Sequence, residues 1–582
     1  MQTTIRRFAV DAVSVRRTII WPMTMAGRLT TARAARLVPV LLLLTLPAVA
    51  QSEFYYSTNE GTITLIGSNC NLCVGSVTIP GTIGGLPVTG IGYGALACPS
   101  LTGITIPDSV TSIGDSAFGG AHSLTSITIP DSVASIGQEA FGECISLPSI
   151  TIPDSVTALG AWVFAYCKSL ANVTIGNGAT SIGEYAFLDC YSLTNVTIGR
   201  SVTSIGCDAF LDCCRLAGVA IPDSVISIGE VAFGACASLT SIAIPSSVTS
   251  IGDGAFAGCL SLSAITVDAA NPFYSSLNGV LFDKYQTALI EYPSGKIGTY
   301  TIPSSVASIG DGAFAGCTNL TSVAIPTTVT SIGDGAFEGC ASLTSIATPN
   351  SVTNIGTEAF SGCASLASVT IGNGVTSIGG DEFGNCTKLA NVTIGNGVTS
   401  IGGSAFVQCT SLSSITIPNS VTNIEDEAFC NCSSLTSVTI GSGVTSVGGE
   451  AFSGCTNLAS VYFQGNAPSI GGGAFAYDDN VTVYYLPGTM GWEDFSNNTG
   501  LPTVLWKPQV RTRDASFGVR TNQFGFTINW ASGMTAAVDA CTNLANPIWT
   551  PLATNGLTSG SFYFSDPQWR KYPSRFYRLR SP

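Results

Sequence analysis

A phenylalanine returns every 23 residues, at Phe118, Phe141, Phe164, Phe187, Phe210, Phe233 and Phe256, and again at the same interval from Phe314 to Phe475. Around it the consensus reads V-T-S-I-G-x-x-A-F-x-x-C-x-S-L-x-x-I-T-I-P, and Leu96 takes the phenylalanine position in a first copy one residue shorter. A unit of this length cannot bury a core alone. It must be one coil of a stack, in which each row of Ile, Leu, Phe and Val finds a neighbour above and below.

Within a coil, Leu124, Ile127 and Ile129 follow L-x-x-I-x-I, so Ile127 and Ile129 point the same way from a short strand that Pro130 ends. Ser132 to Ile136 gives a second extended piece closed by Gly137, and Glu139 and Ala140 open a helical turn that carries Phe141 inward. The expectation is a mainly β, right-handed solenoid of parallel strands with short helical turns and 23-residue coils.

This consensus is similar to the BspA-type leucine-rich repeats of bacterial surface and secreted proteins, over about residues 54–504. The likeness reaches the ends: Phe54 to Pro87 resembles the family's amino-terminal cap, and the stretches from Val461 to Pro468 and from Val483 to Gly488 resemble its closing segment. The resemblance implies adhesion or recognition at a cell surface, with no catalytic residues. The expected organisation is a leader over 1–50, a cap over 51–96, repeats over 97–267, an inserted β-hairpin over 268–302, repeats with the closing segment over 303–504, and a basic module over 505–582.

The leader reading rests on an apolar run from Leu37 to Leu46, preceded by Arg28, Arg33 and Arg36 and followed by an A-x-A site at Ala48 to Ala50. The run is short of the roughly 20 residues a membrane span needs, so secretion is expected, with the mature chain starting at Gln51 and Met25 as an alternative start. No transmembrane segment is expected in the mature chain.

Each row of side chains has a plain reading beside a sharper one. The cysteine row, Cys98, Cys144, Cys167 and onward to Cys455, reads as small buried thiols; stacked parallel Cβ vectors disfavour bridges, and a single file does not converge four ligands on a metal. Cys70 and Cys73 form a C-x-x-C that a secreted chain could close as a local bridge. Outward strand positions, among them Thr370, Thr393, Thr416 and Thr439, make an uncharged hydroxyl surface that suits a strand's solvent face and could also hydrogen-bond a polysaccharide. Acids just before the A-F pair, such as Asp115, Glu139 and Asp208, read as solubilising charges at the start of the helical turn. Residues 51–504 carry a net charge of −26, which repels DNA and anionic surfaces, so no nucleic-acid partner is expected.

Phe256 and Phe314 stand 58 residues apart, so one stretch breaks the repeat. Its alternating apolar runs predict the inserted hairpin, and Phe273, Tyr274, Tyr285 and Tyr292 make it a candidate contact site. After Trp506 the net charge becomes +6, and runs such as Phe524 to Trp530 and Thr535 to Ala540 predict a small β-sandwich.

With His122 the sole histidine and no nucleophile motif or phosphate loop, no catalytic, metal or cofactor site is expected. The favoured function is a secreted or cell-surface, non-enzymatic binding protein for an extracellular protein or polysaccharide. The alternative is a structural spacer or matrix component with no specific ligand.

Overall fold

The computed structural model describes residues 54–580 apart from 71, 72, 479, 514, 521, 522, 532 and 533, so the leader expected over 1–50 lies outside the described residues. The chain divides into two compact units, one ending at Phe273 and the other beginning at Tyr274.

In the first unit, a hairpin of Phe54–Asn59 and Thr62–Ser68 opens a parallel ladder through Leu86–Ile91. Successive coils then pair in strict register. Ser149, Asn172 and Asn195 lie side by side, as do Ile150, Val173 and Val196. A second row of two-residue strands sets Ser181, Ser204, Ser227 and Ser250 in line. Ser149 and Thr151 face solvent while Ile150 and Ile152 are buried, the alternation that a period of two demands.

The third side of each coil carries the phenylalanine. Phe118 to Phe256 are fully buried, and their rings stack nearly parallel with centroids 5.0–5.7 Å apart. The expected helical turn takes the form of turns closed three residues back, Ala117 N–H to Gly114 and Ala121 N–H to Phe118. It does not propagate as helix because two residues, four apart, are left-handed in each phenylalanine coil, as at Ser116 and Gly120 or Glu139 and Glu143. This conformation costs a non-glycine residue on the order of 1 kcal/mol. It lets alternate N–H groups point at the next coil: Ser116, Phe118 and Gly120 each donate 2.8 Å bonds to the carbonyls of Gln138, Ala140 and Gly142.

The second unit opens with strands Tyr274–Leu277, Val280–Asp283 and Ala288–Glu291 in antiparallel succession. The insertion is a three-stranded meander, the hairpin of Val280–Asp283 and Ala288–Glu291 extended by Tyr274–Leu277, and its last strand joins the solenoid, Leu289 pairing Ile309 in parallel. Phenylalanine stacking resumes at Phe314 and runs to Phe475. Helix Trp492–Thr499 then covers the end of the core, with Trp492 and Phe495 against Phe463 at 5.1 and 5.8 Å.

The carboxyl-terminal segment forms two antiparallel sheets. In one, Gln523–Asn529 pairs Gln509–Arg511 and Gly518–Arg520 along one edge and Ser561–Asp566 along the other. In the second, Thr535–Cys541 lies between Thr550–Gly556 and Phe576–Arg580. Phe526, Ile528, Trp530, Val538 and Phe564 share one core, which also takes in Leu486 of the closing segment.

Candidate binding surfaces

The outward strand face of the second unit carries the threonines in register, Thr370 beside Thr393 and Thr416 beside Thr439. Thr370, Thr393 and Thr416 are exposed and Thr439 is half-buried. Beyond Thr439 the same row becomes aromatic: Tyr462 pairs Thr439, stacks on Tyr484 at 4.9 Å and meets Trp506 at 4.7 Å.

The corner after the strand is built in two ways. Where the sequence reads P-x-S, the hydroxyl caps the preceding coil, as Ser351 Oγ donates to the Val329 carbonyl at 2.7 Å. Asparagines at the corner act in the other direction, each side-chain oxygen capping the following coil: Asn350 Oδ1 accepts the Asn373 N–H and Asn373 Oδ1 accepts the Asn396 N–H, both at 2.8 Å. A side chain at Gly395 would meet the Gly372 carbonyl oxygen at 2.5 Å, so glycine alone permits this close stacking. These corners and the threonine face border an open groove of about 800 Å³ lined by Thr370, Asn373, Thr393 and Asn396 with Pro349, Ile371 and Ile394 among others, without one charged side chain.

The aromatic residues of the insertion separate. Phe273 is 50% and Tyr285 82% exposed, and Tyr274 is half-buried. Tyr292 is 2% exposed and leaves the contact set, because it takes the phenylalanine position of its coil with its ring 4.9 Å from Phe314. Its spacing of 22 residues before Phe314 was the signal.

The acids before the A-F pair fall into two columns. Asp115, Asp311, Asp334 and Asp426 accept a backbone N–H from the next coil, at 2.6–2.9 Å. Glu139, Asp208, Glu358, Asp381 and Glu450 are left-handed residues one position later. The first column therefore caps its neighbouring coil directly, with no helix dipole to meet.

Cysteines of the row are buried, and their thiols donate to the phenylalanine carbonyl of the preceding coil, as Cys340 to Phe314 and Cys363 to Phe337, both at 3.2 Å. Burial pushes the Cys409 thiol up to about 12, so it stays protonated and inert. One expectation is overturned: Cys70 bridges Cys98, 28 residues on, and does not bridge Cys73, which is buried. Cys98 thus leaves the thiol row, because the short first coil sets it beside the cap.

His122 lies on the surface, 3.4 Å from Glu143. In the terminal module, Arg578 and Arg580 both pair the buried Asp539 at 3.0 Å, so part of its positive charge is used internally. Among the described residues no three His, Cys, Asp or Glu side chains are grouped to hold a metal ion, and no helix is long and apolar enough to cross a membrane.

The family model described as BspA type leucine rich repeat region (6 copies) matches residues 89–217, 203–277, 291–413 and 380–501. No curated protein matches the chain. Among solved structures, a leucine-rich repeat protein of Eubacterium ventriosum is 26% identical over 68% of this chain and 91% of its own, with a TM-score of 0.52. A leucine-rich cell surface protein of Faecalibacterium prausnitzii is 30% identical over 72% and 96%, with a TM-score of 0.43. One from Bacteroides ovatus is 26% identical over 79% and 100%, with a TM-score of 0.45. With its 23-residue coils, stacked phenylalanines and parallel strand ladders matched over more than half its length, the chain belongs to the BspA-type leucine-rich repeat family.

Proposed function

We propose that the chain is a secreted or cell-surface, non-enzymatic binding protein that takes a neutral polysaccharide in the groove between Thr348 and Asn396. The observation that carries this reading is the groove's uncharged lining, in which threonines and asparagines alternate with Pro349, Ile371 and Ile394, in a solenoid whose other columns are rich in carboxylates. Exposed Thr370 and Thr393 repeat from coil to coil, as does the asparagine ladder, and a polymer of identical sugars offers a matching periodic set of hydroxyls. Secretion is supported by the apolar run from Leu37 to Leu46 and by family membership.

The test is binding of the full chain to neutral polysaccharides beside a Thr370→Lys/Thr393→Lys variant. Both positions are exposed, so the variant is expected to keep the fold, which an unchanged circular dichroism spectrum checks. Saturable binding that falls at least about tenfold in the variant supports the groove. Equal binding by both proteins places the ligand elsewhere, and no binding by either favours the spacer.

A further inference from the structure

Every tryptophan and tyrosine between residues 94 and 273 comes from two successive coils: Trp162, Tyr166, Tyr185 and Tyr191. Trp162 and Tyr185 hold the same coil position and stack at 4.1 Å with 17° between their planes, and Tyr166 lies 6.5 Å from Trp162. These three are half-buried and Tyr191 is 41% exposed. Trp162, Tyr166 and Tyr185 also sit in the left-handed columns, at φ of 60°, 62° and 57°. Other coils close the same turn with Gly254 and Gly258 or Gly312 and Gly316, so neither the turn nor the core requires a ring there.

Carboxylates frame the rings. Glu143 and Asp189 stand one coil to either side of Tyr166, Asp208 follows Tyr185, and Asp212 lies beyond Asp189. Burial raises the Asp189 carboxyl against the lowering pull of the Tyr191 hydroxyl and of Lys168, and burial with the Asp189 charge pushes Asp212 up to about 6. An aromatic platform inside a negative rim suits a cation, which gains from the ring faces and from the acids at once.

We propose that this patch binds a Lys- or Arg-rich segment of a partner protein, one cationic side chain lying on the Trp162–Tyr185 platform and its neighbours pairing the surrounding carboxylates. The site is independent of the uncharged groove and of the ligand assigned to it.

The probe is a fluorescein-labelled nine-residue peptide of alternating Arg and Ser, titrated with the full chain at about 0.15 M NaCl, where long-range attraction is screened. The variant Trp162→Ser/Tyr166→Gly/Tyr185→Ser installs residues that other coils carry in these columns and keeps every carboxylate. Binding should weaken at least about tenfold while the chain stays folded, since other coils hold Ser116 and Gly120 at these positions, as an unchanged circular dichroism spectrum would check. A second variant, Asp189→Asn/Asp212→Asn, removes charges that burial disfavours and should also weaken binding several-fold. Equal affinity in the aromatic variant overturns the proposal in favour of diffuse attraction to an acidic solenoid. Binding of a neutral oligosaccharide at the same rings, lost in that variant, overturns it in favour of a sugar platform. Absence of peptide binding by the unaltered chain up to about 1 mM overturns it outright.

Discussion

Glu382 stands where most phenylalanine coils carry a fully buried alanine, and it is itself fully buried. Its Oε2 accepts the Gly379 N–H at 2.7 Å, while Oε1 has no partner among the described residues. Burial pushes its carboxyl from 4.5 up to about 8. Below the unfolded value both states hold the proton and stability is complete. Between that value and about 8 the unfolded chain releases it and the folded chain does not, so stability falls with rising pH and then levels off. Replacing Glu382 by Ala should flatten this slope and stabilise the coil at pH 8 by a few kcal/mol, taking about 1.4 kcal/mol per pKa unit. Hydrogen exchange of the Phe383 amide, bonded to Ala405, reports it directly. If the variant keeps the wild-type loss of protection between pH 4.5 and 8, Glu382 is not its source. This residue, like Trp162, was visible in the sequence as a departure from consensus. Its meaning was not, because a repeat reveals a misfit only once the column's burial or backbone is known.

At the level of the coil, the phenylalanine period made the stacking legible, since identical spacing can bury a ring in every unit only by aligning the rings. What stayed hidden depends on irregular geometry. The Cys70–Cys98 bridge arises where the first coil is one residue short, and the C-x-x-C spacing pointed to the wrong partner. The strand Ala288–Glu291 completes a coil although its period is broken, which hid Tyr292 as the stand-in for phenylalanine. Two outcomes follow from this geometry. Phe337 stacks on Phe314 at 4.6 Å and on Phe360 at 5.2 Å, so Phe337→Ala should cost roughly 3–5 kcal/mol, seen as lost amide protection in the adjoining coils. Unchanged protection there would mean the rings do not carry the stack. Cys98→Ser opens a bridge between residues 28 apart and should cost about 3 kcal/mol, confined to the cap and first coils. Limited proteolysis should then cut near Asn59 to Gly61 before any later coil, and simultaneous cleavage throughout would refute a local role.

Across the whole molecule, charge is distributed by column and segment. The solenoid residues 51–504 carry −26 and the terminal module +6, so acids far outnumber cations in the repeats, and some stand one coil apart, as do Asp311 and Asp334 or Glu427 and Glu450. Glu338, just after Phe337, is pushed up to about 7 chiefly by burial and further by the charge of Glu358 in the next coil. Repulsion between carboxylates about one coil apart acts within a Debye length of roughly 10 Å at 0.1 M salt, so added salt should relieve it. The melting temperature is therefore expected to rise by several degrees between about 0.02 and 0.3 M NaCl, before hydrophobic salting effects dominate. The column offers its own control. Asp311 and Asp334 serve their neighbours through Oδ1, which accepts a backbone N–H at 2.9 Å, and asparagine does the same work at Asn350 and Asn373. An Asp311→Asn/Asp334→Asn variant should keep those bonds, melt higher at low salt and show a shallower salt dependence. A variant that melts lower at every salt concentration would mean that the carboxylates stabilise the stack through their charge, and the columns would then have to be read as ion-pairing elements.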